Sequence, residues 1–419
     1  MENISHKEST LRALGALENY AWQSDTTSPK HFTMSAEVGG STTLDEWSAA
    51  LKKVQSRHPL INARVDTGKD GRLHFFHGQA IDIPLRIAHL NKIVSVENEI
   101  KREFSAPFGT GDVALLKAAL LYSEDRCVII ITAHHAIADG KSLTHFIHDI
   151  LETLTGTILP DLALLPSIED ACSLDTECAG DINMPVLAAE PVPYTERSLA
   201  RLNISRQQLS PELSNRIRDR AKKENTTVHG ALSAAFVMAF YKSPAWPDRP
   251  VRICTPIDAR KYSGLDYGLS FMALFPTYHY EAGTSEDFWH IARAVTEDLD
   301  AYRKKSGMAA LIELVEPLMN NHGLSEMIKF DRECSAADVL ISNLGVLPFN
   351  KKIGNLTLES LWGPSVLLGT EGEQTIGVAT INNCIHLIHT SYQPISDFLE
   401  HAKNALTVAT GITELQVHG

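Results

Sequence analysis

The sequence has few cysteines, a modest share of charge and no long apolar run, and each shortage excludes a class of protein. Six cysteines (Cys127, Cys172, Cys178, Cys254, Cys334 and Cys384) are spread over 419 residues. Their spacings match neither the paired C-x2-C of a zinc rib nor a dense disulfide frame, so they read as reduced, mostly buried thiols. No apolar stretch approaches the roughly 18 residues of a membrane span. The opening residues also lack the apolar stretch of a secretory signal, and the expectation is a cytoplasmic protein with no membrane span. Lysine and arginine total 38 against 51 aspartates and glutamates, a net charge of −13. That balance opposes binding to nucleic acid, where phosphate neutralisation supplies most of the affinity. One basic string, Arg216, Arg218, Arg220, Lys222 and Lys223, reads either as a solvated helix face or as a local anion patch. Neither a repeat of solenoid period nor a low-complexity tract is present. The G-x-S-x-G elbow of an α/β-hydrolase is also missing.

What is present is the composition of a globular protein, 44% hydrophobic and 21% charged, long enough for two or three domains and a large core. The stretch 156–194 carries five prolines and little periodicity, and reads as a crossover linker between a first half, 1–155, and a second half, 195–419. In the first half, Trp47, Ala50, Leu51 and Val54 mark a helix, and a second helix is predicted over 94–104. The run Val128-Ile129-Ile130-Ile131 predicts a strand buried on both faces. Leu143, Phe146, Ile147, Ile150 and Leu151 then fall on one stripe of a helix, so residues 134–140 form a strand-to-helix loop. In the second half, Ser210-Pro211-Glu212 is a helix start. Residues 228–241 predict a helix apolar on nearly all sides, hence central.

The loop holds His134-His135-Ala136-Ile137-Ala138-Asp139-Gly140, an H-H-x-x-x-D-G string. A neutral imidazole at the mouth of a buried strand can take a proton from a hydroxyl or amine as that atom attacks a carbonyl. A thioester suits such a single base, because its thiol leaving group departs with little protonation. His135 is the candidate base; the competing readings are two satisfied core histidines, or a metal site with His145 and His148. Adjacent residues leave a strand end in opposite directions, which argues against His134 and His135 sharing an ion. Gly140-Lys141-Ser142 imitates the end of a P-loop, but His135 stands where its first glycine is required. Gly109-Thr110-Gly111 reads as an ordinary loop.

The string resembles the active-site motif of the CoA-dependent acyltransferase superfamily, which includes chloramphenicol acetyltransferases, alcohol and polyketide-associated acyltransferases and nonribosomal-peptide condensation domains. Further blocks follow in the family's order: Arg57-His58-Pro59 to Arg64, Pro107-Phe108, Thr227 to Leu232, Thr255 to Arg260, and Ser342-Asn343-Leu344-Gly345. The resemblance implies an α/β fold of two chloramphenicol-acetyltransferase-like halves, each a mixed sheet with helices, meeting at a central tunnel. It implies that His135 is the base and that Asp139 is structural and paired with Arg260. His134 and Gly140 complete the motif, Gly140 permitting close approach at the tunnel. Ser342 or Asn343 would support the oxyanion, a plain turn before Gly345 being the alternative. No permanently bound cofactor or metal is expected. The co-substrate would be an acyl-CoA or a phosphopantetheine thioester on an acyl-carrier protein. The acceptor would be a small-molecule alcohol, or else an amine, in secondary metabolism, and the protein a monomer. Two departures stand out: the plant-type D-F-G-W-G block is at best echoed by Leu361-Trp362-Gly363-Pro364, and Gly268 is followed by Leu269 where relatives commonly have asparagine. The competing functions are a standalone condensation domain joining carrier-bound intermediates, and a non-catalytic docking relative.

Overall fold

The computed structural model describes residues 10–25, 28, 30–78, 82–91, 94–108, 114–172, 198, 200–247, 249–265, 267–282, 288–315, 328–329, 332 and 336–411. Two six-stranded mixed sheets organise these residues. The strands of the large sheets, in chain order, are β1 (His31–Gly39), β2 (Leu85–His89), β3 (Leu116–Tyr122), β4 (Arg126–His134), β5 (Asn203–Gln208), β6 (Val251–Cys254), β7 (Thr277–Tyr280), β8 (Val339–Val346), β9 (Lys352–Ile353), β10 (Leu356–Ser365), β11 (Gln374–Ile381) and β12 (Cys384–Ser391). The first sheet has the order β9-β10-β1-β4-β3-β2, and the second β7-β6-β8-β11-β12-β5. The helices used below are α1 (Leu44–Arg57), α2 (Val96–Phe104), α3 (Gly140–Leu154), α4 (Pro211–Lys223), α5 (Val228–Tyr241), α6 (Phe288–Tyr302) and α7 (Phe398–Thr410).

Strand β4 carries the β-branched run and is buried along both faces. Alternation sends Ile129, Ile131 and Ala133 into a core with the helical stripe Leu143, Phe146, Ile147 and Ile150, while Val128 and Ile130 face Ile204 and Ile388 of the second sheet. Its pairing with β1 runs from Gly39 opposite Arg126 to His31 opposite His134. In the second half, Ser210 caps α4 through Leu213 N–H (3.1 Å). Helix α5, apolar all round, lies in one core with residues of α6, α7 and the second sheet.

The first sheet is completed from far along the chain, because β10 returns to pair antiparallel with β1. Gly363 permits this crossing: its φ is +138°, and a Cβ there would lie 2.9 Å from Met34 Cγ. Strand β11 passes equally close, since a Cβ on Gly377 would lie 2.2 Å from the Pro364 carbonyl oxygen. The segment 156–172 runs without regular structure to a short helix, Ile168–Cys172, and the rest of the expected linker lies outside the described residues, as do residues 109–111 of the G-T-G string. Cys127, Cys172, Cys254 and Cys384 are free and buried; Cys178 and Cys334 lie outside the described residues. The basic string on α4 pairs along and next to its own helix, Arg216 with Glu212 and Arg220 with Glu224. Among the described residues no helix is long and apolar enough to cross a membrane.

Candidate active site

The turn between β4 and α3 brings the motif residues together, and adjacent histidines there hold their protons on opposite nitrogens. The His134 Nδ1 accepts from Ala136 N–H (3.0 Å), which places its proton on Nε2, 3.4 Å from Asp25 Oδ1. The His135 Nδ1 faces the Ala138 carbonyl oxygen at 3.1 Å. A carbonyl only accepts, so His135 carries its proton on Nδ1 and leaves the Nε2 lone pair free to act as a base. The two rings also lie in different surroundings. Trp22 and Phe108 flank His134, whereas His135 is stacked between Phe32 (4.2 Å between ring centres) and Phe271 (4.9 Å). Of residues 131–140 only His135 is more than marginally exposed to solvent. Burial pushes its imidazole down to about 3, against the opposing Ala138 carbonyl and Asp139. The ring is therefore neutral at ordinary pH.

Asp139 points away from this ring. It caps α3 through Ser142 N–H (2.9 Å), accepts from Met272 N–H (3.0 Å), and takes a bidentate pair from Arg260 at 2.7 and 3.0 Å. Burial alone would raise its pKa, but the Arg260 guanidinium and these hydrogen bonds hold it below the ordinary carboxylate range. Arg260 also reaches Ser142 Oγ (2.9 Å) and the Ser270 carbonyl (3.0 Å). The pair thus joins the start of α3 to two segments of the second half and leaves Asp139 without a free oxygen for substrate. Gly140 opens α3 with no left-handed turn; the close approach it permits is to Leu344 and Pro364, whose side-chain carbons lie 3.0 and 3.2 Å from the position of a Cβ.

Ser342 and Asn343 separate on β8. Asn343 Oδ1 accepts from Gly345 N–H (2.9 Å) in a bulge of β8, where Gly345 has φ +72°. Ser342 is buried just ahead of this bulge, and Leu344 within it is the residue against Gly140. His145 stacks on Tyr267 (4.2 Å) and His148 on Phe349 (4.7 Å). Among the described residues no three histidine, cysteine or acidic side chains converge as metal ligands.

Two features escaped sequence reasoning. One is the aromatic sandwich on His135, whose members come from positions 32 and 271 with no local signal. The other is a polar row on α3, Asp139, Ser142, His145 and Asp149, which a search for polar residues at helical spacing would find. At its far end Asp149 accepts from Arg57 Nε, His58 Nε2 (both 2.8 Å) and the Tyr267 hydroxyl (2.6 Å).

The family model of the Condensation domain matches residues 20–161, and that of the phthiocerol/phthiodiolone dimycocerosyl transferase C-terminus matches residues 199–366. Neither model by itself spans half of the chain. Over 141 residues the chain is 27% identical to a component of the linear gramicidin synthase of Brevibacillus parabrevis, an alignment covering 31% of this chain and only 2% of that protein. Polyketide synthase associated protein 5 from Mycobacterium tuberculosis superposes with a TM-score of 0.65 at 15% identity, over 97% of this chain and 100% of that one. The first condensation domain of the calcium-dependent antibiotic synthetase, solved with a substrate analogue, gives 0.70 at 15% identity, over 96% and 97% of the two chains. These structures share this chain's fold: two halves, each with a mixed sheet and helices. The two matched segments divide the site between them, since His134 to Gly140 lie in the first and Arg260, Ser342 and Asn343 in the second.

Proposed function

We propose that this protein transfers an acyl group from a thioester to a hydroxyl, or less favourably an amine, with His135 as general base. The observation that carries the reading is the proton on His135 Nδ1, held by the Ala138 carbonyl, which leaves Nε2 as an acceptor on a ring kept neutral between Phe32 and Phe271. The acceptor O–H gives its proton to Nε2 as its oxygen bonds to the thioester carbon. The tetrahedral intermediate then breaks its C–S bond, and the leaving thiolate takes the proton back from His135. Ser342, through its hydroxyl, or Asn343, through the amide nitrogen that its bond from Gly345 N–H does not use, is the donor to the oxyanion. Asp139 and Arg260 hold the loop and take no proton. The donor is a free co-substrate, acyl-CoA in this reading, and no bound cofactor takes part.

The experiment is thiol release from a panel of acyl-CoAs with candidate alcohols and amines, comparing wild type with His135→Ala. A folded variant slower by about 10²–10⁴-fold is expected, and unchanged turnover would remove His135 from the role. A second reading, a standalone condensation domain acting on carrier-bound acyl groups, draws on the Condensation match over residues 20–161. Turnover with an acylated carrier protein and none with any acyl-CoA would select it. Folded protein that turns over neither donor would instead support the non-catalytic docking relative.

A further inference from the structure

Helix α3 presents Asp139, Ser142, His145 and Asp149 at spacings of three, three and four residues, a single face of the helix. Residues 267–272 of the second half bind to this row along its length. The Tyr267 hydroxyl donates to Asp149 Oδ1 (2.6 Å), and its ring lies on His145 with the planes 19° apart. Gly268 N–H donates to His145 Nδ1 (3.4 Å), Ser270 N–H to Ser142 Oγ (3.2 Å) and Met272 N–H to Asp139 Oδ2 (3.0 Å). Between Ser270 and Met272 stands Phe271, whose ring covers His135. The place of Phe271 is thus set by a segment fastened on both sides of it, and the fastening most distant from His135 is Tyr267.

We propose that Tyr267 is a positioning residue for His135, acting through the 267–272 segment to hold Phe271 on the imidazole. Several charges meet at its anchor. Asp149 faces Arg57, His58 and Tyr267, and although burial opposes its ionisation, the bonds from His58, Tyr267 and Arg57 keep its carboxyl below the usual range. His145 faces Arg260, Asp139 and Lys141, and is pushed down to about 4 chiefly by burial. Around His135 the charged and titratable groups are His134, Asp139 and Lys30. The inference takes the reaction from the proposed function, but its main readout does not depend on turnover.

The test is the titration of His135 followed by NMR of its imidazole in the full chain, with kcat and KM measured alongside. In wild type the ring is expected to remain neutral down to about pH 5, well below the ordinary histidine value near 6.5. Tyr267→Phe removes the hydroxyl and keeps the ring. Loosening the segment admits water to His135, so its titration is expected to rise by about one unit or more. The rate constant kcat should fall about tenfold with KM nearly unchanged, as for a group that moves the base and not the substrate. Phe271→Leu, which removes the covering ring itself, should move the titration the same way and further. A Tyr267→Phe variant that loses thermal stability while His135 titrates as in wild type would reduce Tyr267 to a structural role. An unshifted titration in Phe271→Leu would overturn the route through the stack. If no thioester is turned over by wild type, the acyltransfer reading fails while the titration still decides this one.

Discussion

The two halves are joined in two unlike ways. From the His135 loop along α3 they are tied by directional polar bonds: Arg260 to Asp139, Ser142 to Ser270, Tyr267 to Asp149. Farther along the sheets they meet through an apolar layer of Val128, Ile130, Trp362, Ile204 and Ile388, edged by Arg206 bridging Glu37 (2.8 Å) and Glu97 (2.6 Å). Apolar contact gives adhesion with little preference for position, whereas buried bidentate and cap bonds exist in one geometry only. The molecule places its geometry-setting bonds where a base must be held and its adhesive surface where none is needed.

The sharpest way to break the contrast is at Arg260. It is 3% exposed, and Arg260→Ala would leave the Asp139 carboxylate buried without its counter-charge. A loss of about 3–5 kcal/mol is expected in chemical denaturation. Arg260→Lys should recover only part, because an ammonium cannot reproduce the forked pair. Replacing both partners with apolar residues should be far milder than replacing Arg260 alone, a double-mutant cycle that separates an uncompensated charge from the worth of the pair.

Acid should act next, and in a fixed order. His31 and His389 are almost wholly buried, and burial pushes each down to about 4. Unfolding lets these rings bind protons below about 6.5 that the folded chain does not bind until near 4, so their neutral burial costs nothing above 6.5 and stability falls as pH drops through that window. Each contributes up to about 1.4 kcal/mol per pH unit. The lowered carboxyls, Asp139 and Asp149 near the site and Glu37 at the far edge, work at lower pH. Their stabilisation is complete above the ordinary carboxylate range and is lost as pH falls through their folded values. Urea denaturation from pH 8 to 4 should therefore show a decline starting near 6.5; a flat profile down to 4.5 would mean that the histidines are not held neutral.

Much of this was legible locally. The stripe through Leu143 and Phe146, the Val128–Ile131 run and the Ser210-Pro211 cap each encode their element over a few residues, and the structure has α3, β4 and α4 there. Alternation along a strand end also foretold that His134 and His135 diverge. What local pattern cannot carry is a partner distant in the chain. The return of β10 to β1, the pairing of Asp139 with Arg260 across a sequence separation of 121 and the stacking of Phe271 on His135 depend on tertiary packing. Arg260 was reachable through resemblance of its motif, while Phe271 and Tyr267 carry no local pattern that points to His135.

The mildest test lies at the far edge. Arg206 keeps 16% of its side-chain surface exposed, stands over the Trp362 ring at 4.8 Å and pairs with two glutamates that are themselves partly open to water. In Arg206→Gln the glutamates regain solvent, so the expected loss is about 1 kcal/mol, and much of it should vanish at 1 M salt, where screening acts within about 3 Å. The Arg260 deficit should persist at the same salt, because ions do not enter its surroundings. Turnover per folded molecule should stay at the wild-type level in Arg206→Gln, since the far edge sets no group against His135. Salt-independent loss there, or a fall in turnover, would mean that this edge also positions the site and that the division between adhesion and geometry does not hold.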